Sequence, residues 1–246
     1  MTEDKGCTKA FILAMTAATA AATLSVWPAI AAMSRPSDDQ VREQIKRIVM
    51  SAQEGGAPAA ADDTASAMKV SRGVLKGDAN VAVIGSAEGS DVVEFYDYNC
   101  GYCRQFTLGV VEPLVQNGSI RVHLVQAPIL GPGSRRMALF AAAAQLQGRF
   151  EKAHAHLTRQ HARTLEEADA LRSGLVTAAG LDSSAFTKAL EDGSAERIVK
   201  ANERLSAQAE IRGTPLIYVN GVVSKGAMSI DQVRTAIRSG EGTKGA

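Results

Sequence analysis

The feature that most constrains this 246-residue chain is the order strand, Cys-x-x-Cys, helix, strand between Asp91 and Val125. Asp91 to Tyr98 carries Val92, Val93, Phe95, Tyr96 and Tyr98, all residues that favour a pleated, half-buried surface. Cys100-Gly101-Tyr102-Cys103 follows at once and opens a helical stretch to Gln116, with Leu108, Val111, Leu114 and Val115 on its apolar face. Ile120 to Val125 then alternates, with Ile120, Val122 and Leu124 on one side, and reads as the next strand. Strand, helix, strand in that order is a βαβ unit and predicts a parallel pair.

The place of the cysteines matters more than their spacing. At a helix N-terminus the first backbone N–H groups have no intrahelical partner, and the helix dipole favours negative charge there. A thiolate on Cys100 is therefore stabilised, and its pKa is expected below the roughly 8.5 of a free thiol. Cys103, one turn on, is expected to be buried and placed to attack a mixed disulfide formed at Cys100. Glu94 shares a strand face with Tyr96 and Tyr98. A carboxylate there can relay the proton that Cys103 must lose, and burial raises its pKa. The plainer reading of Glu94 is an exposed strand-end charge.

Elsewhere, Val81 to Ile84 gives a further strand signal. Ser134 to about Ile211 is read as helical throughout, with breaks at Gly148, Gly180 and Gly193. Helix starts are marked by Thr164 with Glu167 three residues on, and by Asp182 before Phe186. Thr214-Pro215 opens a strand to Asn220, a position where proline is tolerated. Asn220-Gly221 signals a hairpin, so Val222-Val223 should return antiparallel. Ser229 to Arg238 is a closing helix with Ile230, Val233 and Ile237 on one face, and the Gly/Lys-rich tail begins at Ser239.

The first 32 residues have the pattern of an export signal. Lys5 and Lys9 precede an uncharged stretch from Ala10 to Trp27, Pro28 breaks it, and Ala29-Ile30-Ala31 supplies the small residues of a cleavage site. Cleavage after Ala31 or Ala32 is expected; the rival reading is an uncleaved membrane anchor, since the stretch is about the minimum length for a span. Cys7 lies ahead of the apolar stretch and is lost on cleavage. Cys100 and Cys103 are then the two cysteines of the mature chain, in an oxidising compartment. Residues 33–80 read as a helical arm and linker. Val41, Ile45, Ile48 and Val49 form one apolar face, suited either to its own domain or to self-association. Ser51 to Ser66, with Gly55-Gly56 and Pro58, has linker composition. The remaining domain spans 81–240.

Charge excludes other classes. With 27 basic against 26 acidic residues the net charge is +1, without the surplus of a nucleic-acid binder. Aromatics at 4% leave little for stacking single strands. His154, His156 and His161 lack the tight pairing of a structural zinc site and read as a solvated helix face. Pro128 to Gly133 reads as a connector beside the sheet edge.

Three blocks, Glu94 to Cys103, Pro128 to Ser134 and Arg212-Gly213-Thr214-Pro215, resemble the bacterial DsbA-like thiol–disulfide oxidoreductases of the thioredoxin superfamily. The match runs from about Val81 to Arg238, with a helical insert at about 134–211. The resemblance implies an α/β thioredoxin fold with a helical insertion behind a short N-terminal helical arm. It implies that Cys100 is the nucleophile and pairs with Cys103 in a redox-active disulfide. It further implies that Glu94 serves Cys103, and that the Thr214–Pro215 bond is cis and faces the sulfurs. Gly101, Tyr102 and Gly213 are expected to contact substrate. Gly-Tyr between the cysteines and Thr before the proline resemble the dimeric disulfide isomerases, so oxidase and isomerase directions both stand. The implied partners are exported client proteins with cysteines, a membrane redox partner, and a second copy through the arm. The implied location is the periplasm, and no bound cofactor is needed. The reading from a different class is a binding module whose Cys100–Cys103 disulfide is structural.

Overall fold

The computed structural model describes residues 60–241. The export signal and the apolar face at Val41 to Val49 lie outside the described residues. Five strands form one mixed sheet: β1 (Ala82–Gly85), β2 (Ser90–Tyr96), β3 (Ile120–Gln126), β4 (Leu216–Val219) and β5 (Val222–Lys225), in the order β1-β3-β2-β4-β5. β2 and β3 are parallel, Val92 facing Val122 and Phe95 facing Val125, as the βαβ reading requires. The other three pairings are antiparallel. Asn220 and Gly221 both have positive φ, 45° and 89°, the backbone a two-residue hairpin between β4 and β5 demands.

β2 is central, and its apolar run is explained by cover on both faces. Val92 and Tyr96 join a large core with Phe106, Leu114, Val122, Leu124 and Phe140. Val93 and Phe95 join a smaller core on the opposite face with Ala67, Val74, Val125 and Tyr218. Ala67 and Val74 belong to helix α1 (Ala60–Val74). The linker composition read through Ser66 thus gives way to helix at Ala60. The packed unit also begins upstream of residue 81, because α1 supplies apolar cover that the sheet would otherwise lack.

The helix after Cys100 is not uniform. It comprises α2 (Gly101–Phe106), a π-helical turn (Thr107–Val111) and α3 (Glu112–Gln116). Glu112 N donates to Thr107 O, five residues back. Pro113 supplies the cause: it has no N–H, and its ring excludes the carbonyl four residues earlier. The insert follows as α4 (Pro132–Gln145), α5 (Phe150–Leu157), α6 (Leu165–Ala170), α7 (Arg172–Ala179), α8 (Ser183–Glu191) and α9 (Ser194–Gln208), and α10 (Ile230–Glu241) closes the chain. The two predicted starts hold. Thr164 and Glu167 form a reciprocal capping box, and Asp182 accepts from Ala185 N at 2.6 Å. Among the described residues no helix is long and apolar enough to cross a membrane.

Gly133, in the first turn of α4, packs against the chain entering α6. A Cβ there would stand 1.9 Å from the Ala162 carbonyl oxygen, whereas one on Gly109 meets nothing within 4 Å. Gly133→Ala is therefore expected to lower stability by at least about 1–3 kcal/mol, and Gly109→Ala to change it by less than about 1 kcal/mol. Urea unfolding of both variants checks this; equal effects would remove the packing argument.

Candidate active site

The turn Asp97-Tyr98-Asn99 carries the chain from β2 into α2 and fixes Cys100 in place. The two carboxylate oxygens of Asp97 accept separately from the backbone N–H of Asn99 (2.8 Å) and of Leu130 (2.9 Å). The Asp97 carbonyl accepts from Cys100 N at 3.1 Å. Asn99 Nδ2 donates to Ser134 Oγ (2.8 Å) and to Ala162 O (2.6 Å), and its Oδ1 accepts from Ala162 N (2.9 Å). Arg104 donates from α2 to the carbonyls of Thr158 (2.9 Å) and Gln160 (2.6 Å). The helix that presents the cysteines is thus tied to the insert on one side and to the 128–133 loop on the other. Asp97, Asn99 and Arg104 carry no motif of their own; Asp two residues before Asn at a strand end is an Asx-turn spacing and the one signal available.

Cys100 is the N-cap of α2, with φ −77° and ψ 115°. Its Sγ accepts from Cys103 N at 3.4 Å, and as a thiol it donates to the Thr214 carbonyl at 3.1 Å. Both cysteines are free and buried. The Cys103 thiol, hydrogen-bonded to Cys100 Sγ, is the largest of the influences that bring the Cys100 pKa down to about 5. Burial works against it, while the Thr214 side chain and the backbone N–H groups of Cys103 and Tyr102 add to it. Cys103 moves the other way. Burial, then its bond to Cys100, then the Glu94 carboxyl raise it far above the thiol range.

Glu94 is fully buried, so the reading as an exposed strand-end charge does not hold. Neither carboxyl oxygen has a hydrogen-bond partner. Burial, then the Cys100 charge, raise its pKa well above the carboxylate range. Thr214–Pro215 is a cis peptide, and the Thr214 carbonyl meets Cys100 Sγ. Tyr102, Gly213, Thr214 and Pro215 line one groove of about 600 Å³ beside the sulfurs. Gly101 is exposed at the helix start, and Tyr102 is 66% exposed.

Residues 76–239 match the family model described as Thioredoxin. The chain belongs to the thioredoxin family. Its fold is similar to that of a thioredoxin-like oxidoreductase from Silicibacter pomeroyi. That likeness has 29% identity and a TM-score of 0.61, and covers 71% of this chain and 99% of that one. The thiol-disulfide exchange protein alpha-DsbA2 of Wolbachia pipientis shares the fold at 22% identity and a TM-score of 0.62, over 73% and 98% of the two chains. The catalytic domain of Proteus mirabilis ScsC does so at 22% and 0.57, over 71% and 96%. The DsbA-like resemblance read from the three motifs agrees with these neighbours. A curated relative, the Na(+)/H(+) antiporter NhaA 3 of Salinispora tropica, is 31% identical over 150 residues, which are 60% of this chain and 22% of that protein. The match is thus to one segment, and the thioredoxin-family chain spans about a fifth of that relative's length.

The histidines point apart. His154 is buried against Tyr98, contrary to the solvated helix face expected; His156 lies by Gly174; His161 is exposed beside Arg163. Among the described residues no three His, Cys, Asp or Glu side chains gather as metal ligands would.

The buried acid has a stability consequence with a fixed sign. The unfolded chain ionises Glu94 near the ordinary value of about 4.3, while the folded chain keeps it protonated. The unfolded state then binds fewer protons, so wild-type stability falls as pH rises past that value. Glu94→Gln removes this dependence. Its stability relative to wild type is expected to grow from pH 4 to pH 8, by up to about 1.4 kcal/mol per pH unit. Urea unfolding at the two pH values reads it, and a constant difference would show that Glu94 is ionised in the folded protein.

Proposed function

We propose that this protein is a thiol–disulfide oxidoreductase that acts on cysteines of exported proteins through a mixed disulfide at Cys100. The observation that carries the reading is the pair of opposite environments one helical turn apart, with Cys100 pushed down to about 5 and Cys103 pushed up. A low-pKa sulfur is both thiolate at neutral pH and a good leaving group. A raised one waits as a thiol until a base takes its proton.

In the oxidising direction a client thiolate attacks Cys100 Sγ of the Cys100–Cys103 disulfide, and Cys103 leaves and takes a proton. A second client thiolate then attacks the client sulfur of the mixed disulfide, and Cys100 leaves as thiolate. The client has formed one disulfide and the protein has gained two electrons. Isomerisation uses Cys100 thiolate as the attacking group on a client disulfide, with return of the same bond at a different client cysteine. The groove lined by Tyr102, Gly213 and Thr214 suits an extended client chain pairing with the backbone before Pro215. The redox partner that resets the pair is a membrane protein in this reading. The site of action is the periplasm, and the N-terminal arm, through the apolar face of Val41, Ile45, Ile48 and Val49, brings two copies together.

Cys100→Ser is expected to abolish exchange, and Cys103→Ser to accumulate client mixed disulfides at Cys100, seen on non-reducing gels. Equilibration of the wild-type pair with glutathione is expected to give a potential well above about −300 mV, whereas a structural disulfide resists reduction. Trapping at Cys103, or a pair that glutathione leaves oxidised, would contradict the reading.

A further inference from the structure

The link from β3 into α4 contains Pro128-Ile129-Leu130-Gly131-Pro132, a run without a charge or a polar side chain. All but Pro128 are exposed, Ile129 at 45% and Leu130 at 50%. Among the described residues they are the only neighbours in sequence that both leave a large apolar side chain exposed. Single exposed aliphatics are ordinary on a protein surface, whereas an exposed apolar run marks a contact site. The loop is held in shape by its backbone. Ile129 N donates to Ala127 O at 2.8 Å, Leu130 N to Asp97 Oδ2 at 2.9 Å, and Arg135 N to Gly131 O at 3.2 Å. Pro128 and Pro132 fix φ at both ends. The two side chains are thus presented outward on a rigid loop, and little entropy is lost when something packs on them.

The loop also has a fixed place beside the reacting sulfur. Asp97 accepts from Leu130 N through its carboxylate and from Cys100 N through its carbonyl. Those two bonds hold Leu130 N and Cys100 N within about 11 Å of each other, the reach of roughly three extended residues. None of residues 128–132 lines the groove of Tyr102, Gly213, Thr214 and Pro215. The loop is therefore a second surface, outside the groove, that a chain bonded to Cys100 meets within a few residues.

We propose that Ile129 and Leu130 form an apolar platform that binds a large aliphatic side chain about three residues from the client cysteine, and so selects unfolded clients. The proposal rests on the exchange reading above and deepens it by naming the client. Cysteine is among the residues most often fully buried in folded proteins. The segment around a cysteine bound for a core disulfide therefore carries aliphatic side chains that are exposed only before the client folds. A client sulfur docked at Cys100 brings such a side chain to the platform at high effective concentration, so a small patch suffices. The loop carries no charge and adds no preference between acidic and basic clients. A folded client, with its aliphatic side chains already in its core, offers the platform nothing to bind.

The test follows reduction of the Cys100–Cys103 disulfide by glutathione and by two peptides. One peptide has a single cysteine with a leucine three residues to either side; the other has serine in place of both leucines. In each case a thiolate attacks Cys100 Sγ and Cys103 leaves; a second thiolate then releases Cys100, and the added thiol ends as its own disulfide. Glutathione has one residue on either side of its cysteine and does not reach the platform. Wild type is expected to react roughly tenfold faster with the leucine peptide than with the serine peptide, the factor that burial of about one aliphatic side chain supplies. The double variant Ile129→Ser, Leu130→Ser is expected to bring the leucine peptide down to the serine-peptide rate and to leave the other two rates unchanged. Leu146→Ser, at an exposed leucine that ends α4 far from the cysteines, is expected to keep the preference. Equal wild-type rates for the two peptides, or a preference that survives in the double variant, would overturn the platform. A double variant slowed equally toward all three thiols would overturn it too, and make the loop a support for Cys100 instead. A wild-type disulfide that none of the three reduces would remove the exchange reading, and the platform with it.

Discussion

A sulfur atom held at the first turn of a helix, within reach of backbone N–H groups and of a second thiol, is the interaction around which this molecule is arranged. Cys100 Sγ accepts from Cys103 N and sits against the Thr214 carbonyl. These contacts persist only if α2 cannot rotate or slide. Asp97 and Asn99 fix its entrance through bonds to Leu130, Ser134 and Ala162, and Arg104 ties its body to the chain after α5. The helical insert thus braces the cysteine helix as well as covering one face of the sheet.

The same burial acts with opposite results on groups a few ångströms apart. Cys100 gains donors faster than it loses water, so its anion is favoured. Cys103 and Glu94 lose water and gain no donor that compensates, so their neutral forms are favoured. The site therefore holds one thiolate, one thiol and one carboxylic acid at neutral pH. Attack at Cys100 needs no proton transfer, while resolution at Cys103 does. The two half-reactions of exchange are separated by protonation as well as by position.

How much of this could be read in the sequence depended on whether the cause was local. The parallel β2–β3 pair, the Asn220-Gly221 hairpin, the Thr164 and Asp182 caps and the cysteines at a helix start all follow from spacing and turn chemistry within a few residues. The bracing roles of Asp97, Asn99 and Arg104 depend on a backbone N–H, a hydroxyl and carbonyls 33 to 63 residues away, and no periodicity encodes those. His154 reads as solvated because it lies in a run rich in Ala, Arg and Gln; its burial comes from Tyr96, Tyr98 and Phe150, which the fold brings to it. Helix α1 is obscured by linker composition that runs through its first residues to Ser66, and its register on the sheet is a tertiary fact. The π turn had one local signal, Pro113, which is compatible with a helix start as well.

The central claim is that the fold itself makes Cys100 a thiolate. The rate of Cys100 alkylation by iodoacetamide, measured against pH on the reduced protein, tests it most directly. The account predicts a single rise with its midpoint near pH 5 and no alkylation of Cys103 up to neutral pH. A midpoint close to the roughly 8.5 of a free thiol, or equal reaction at both cysteines, would contradict it.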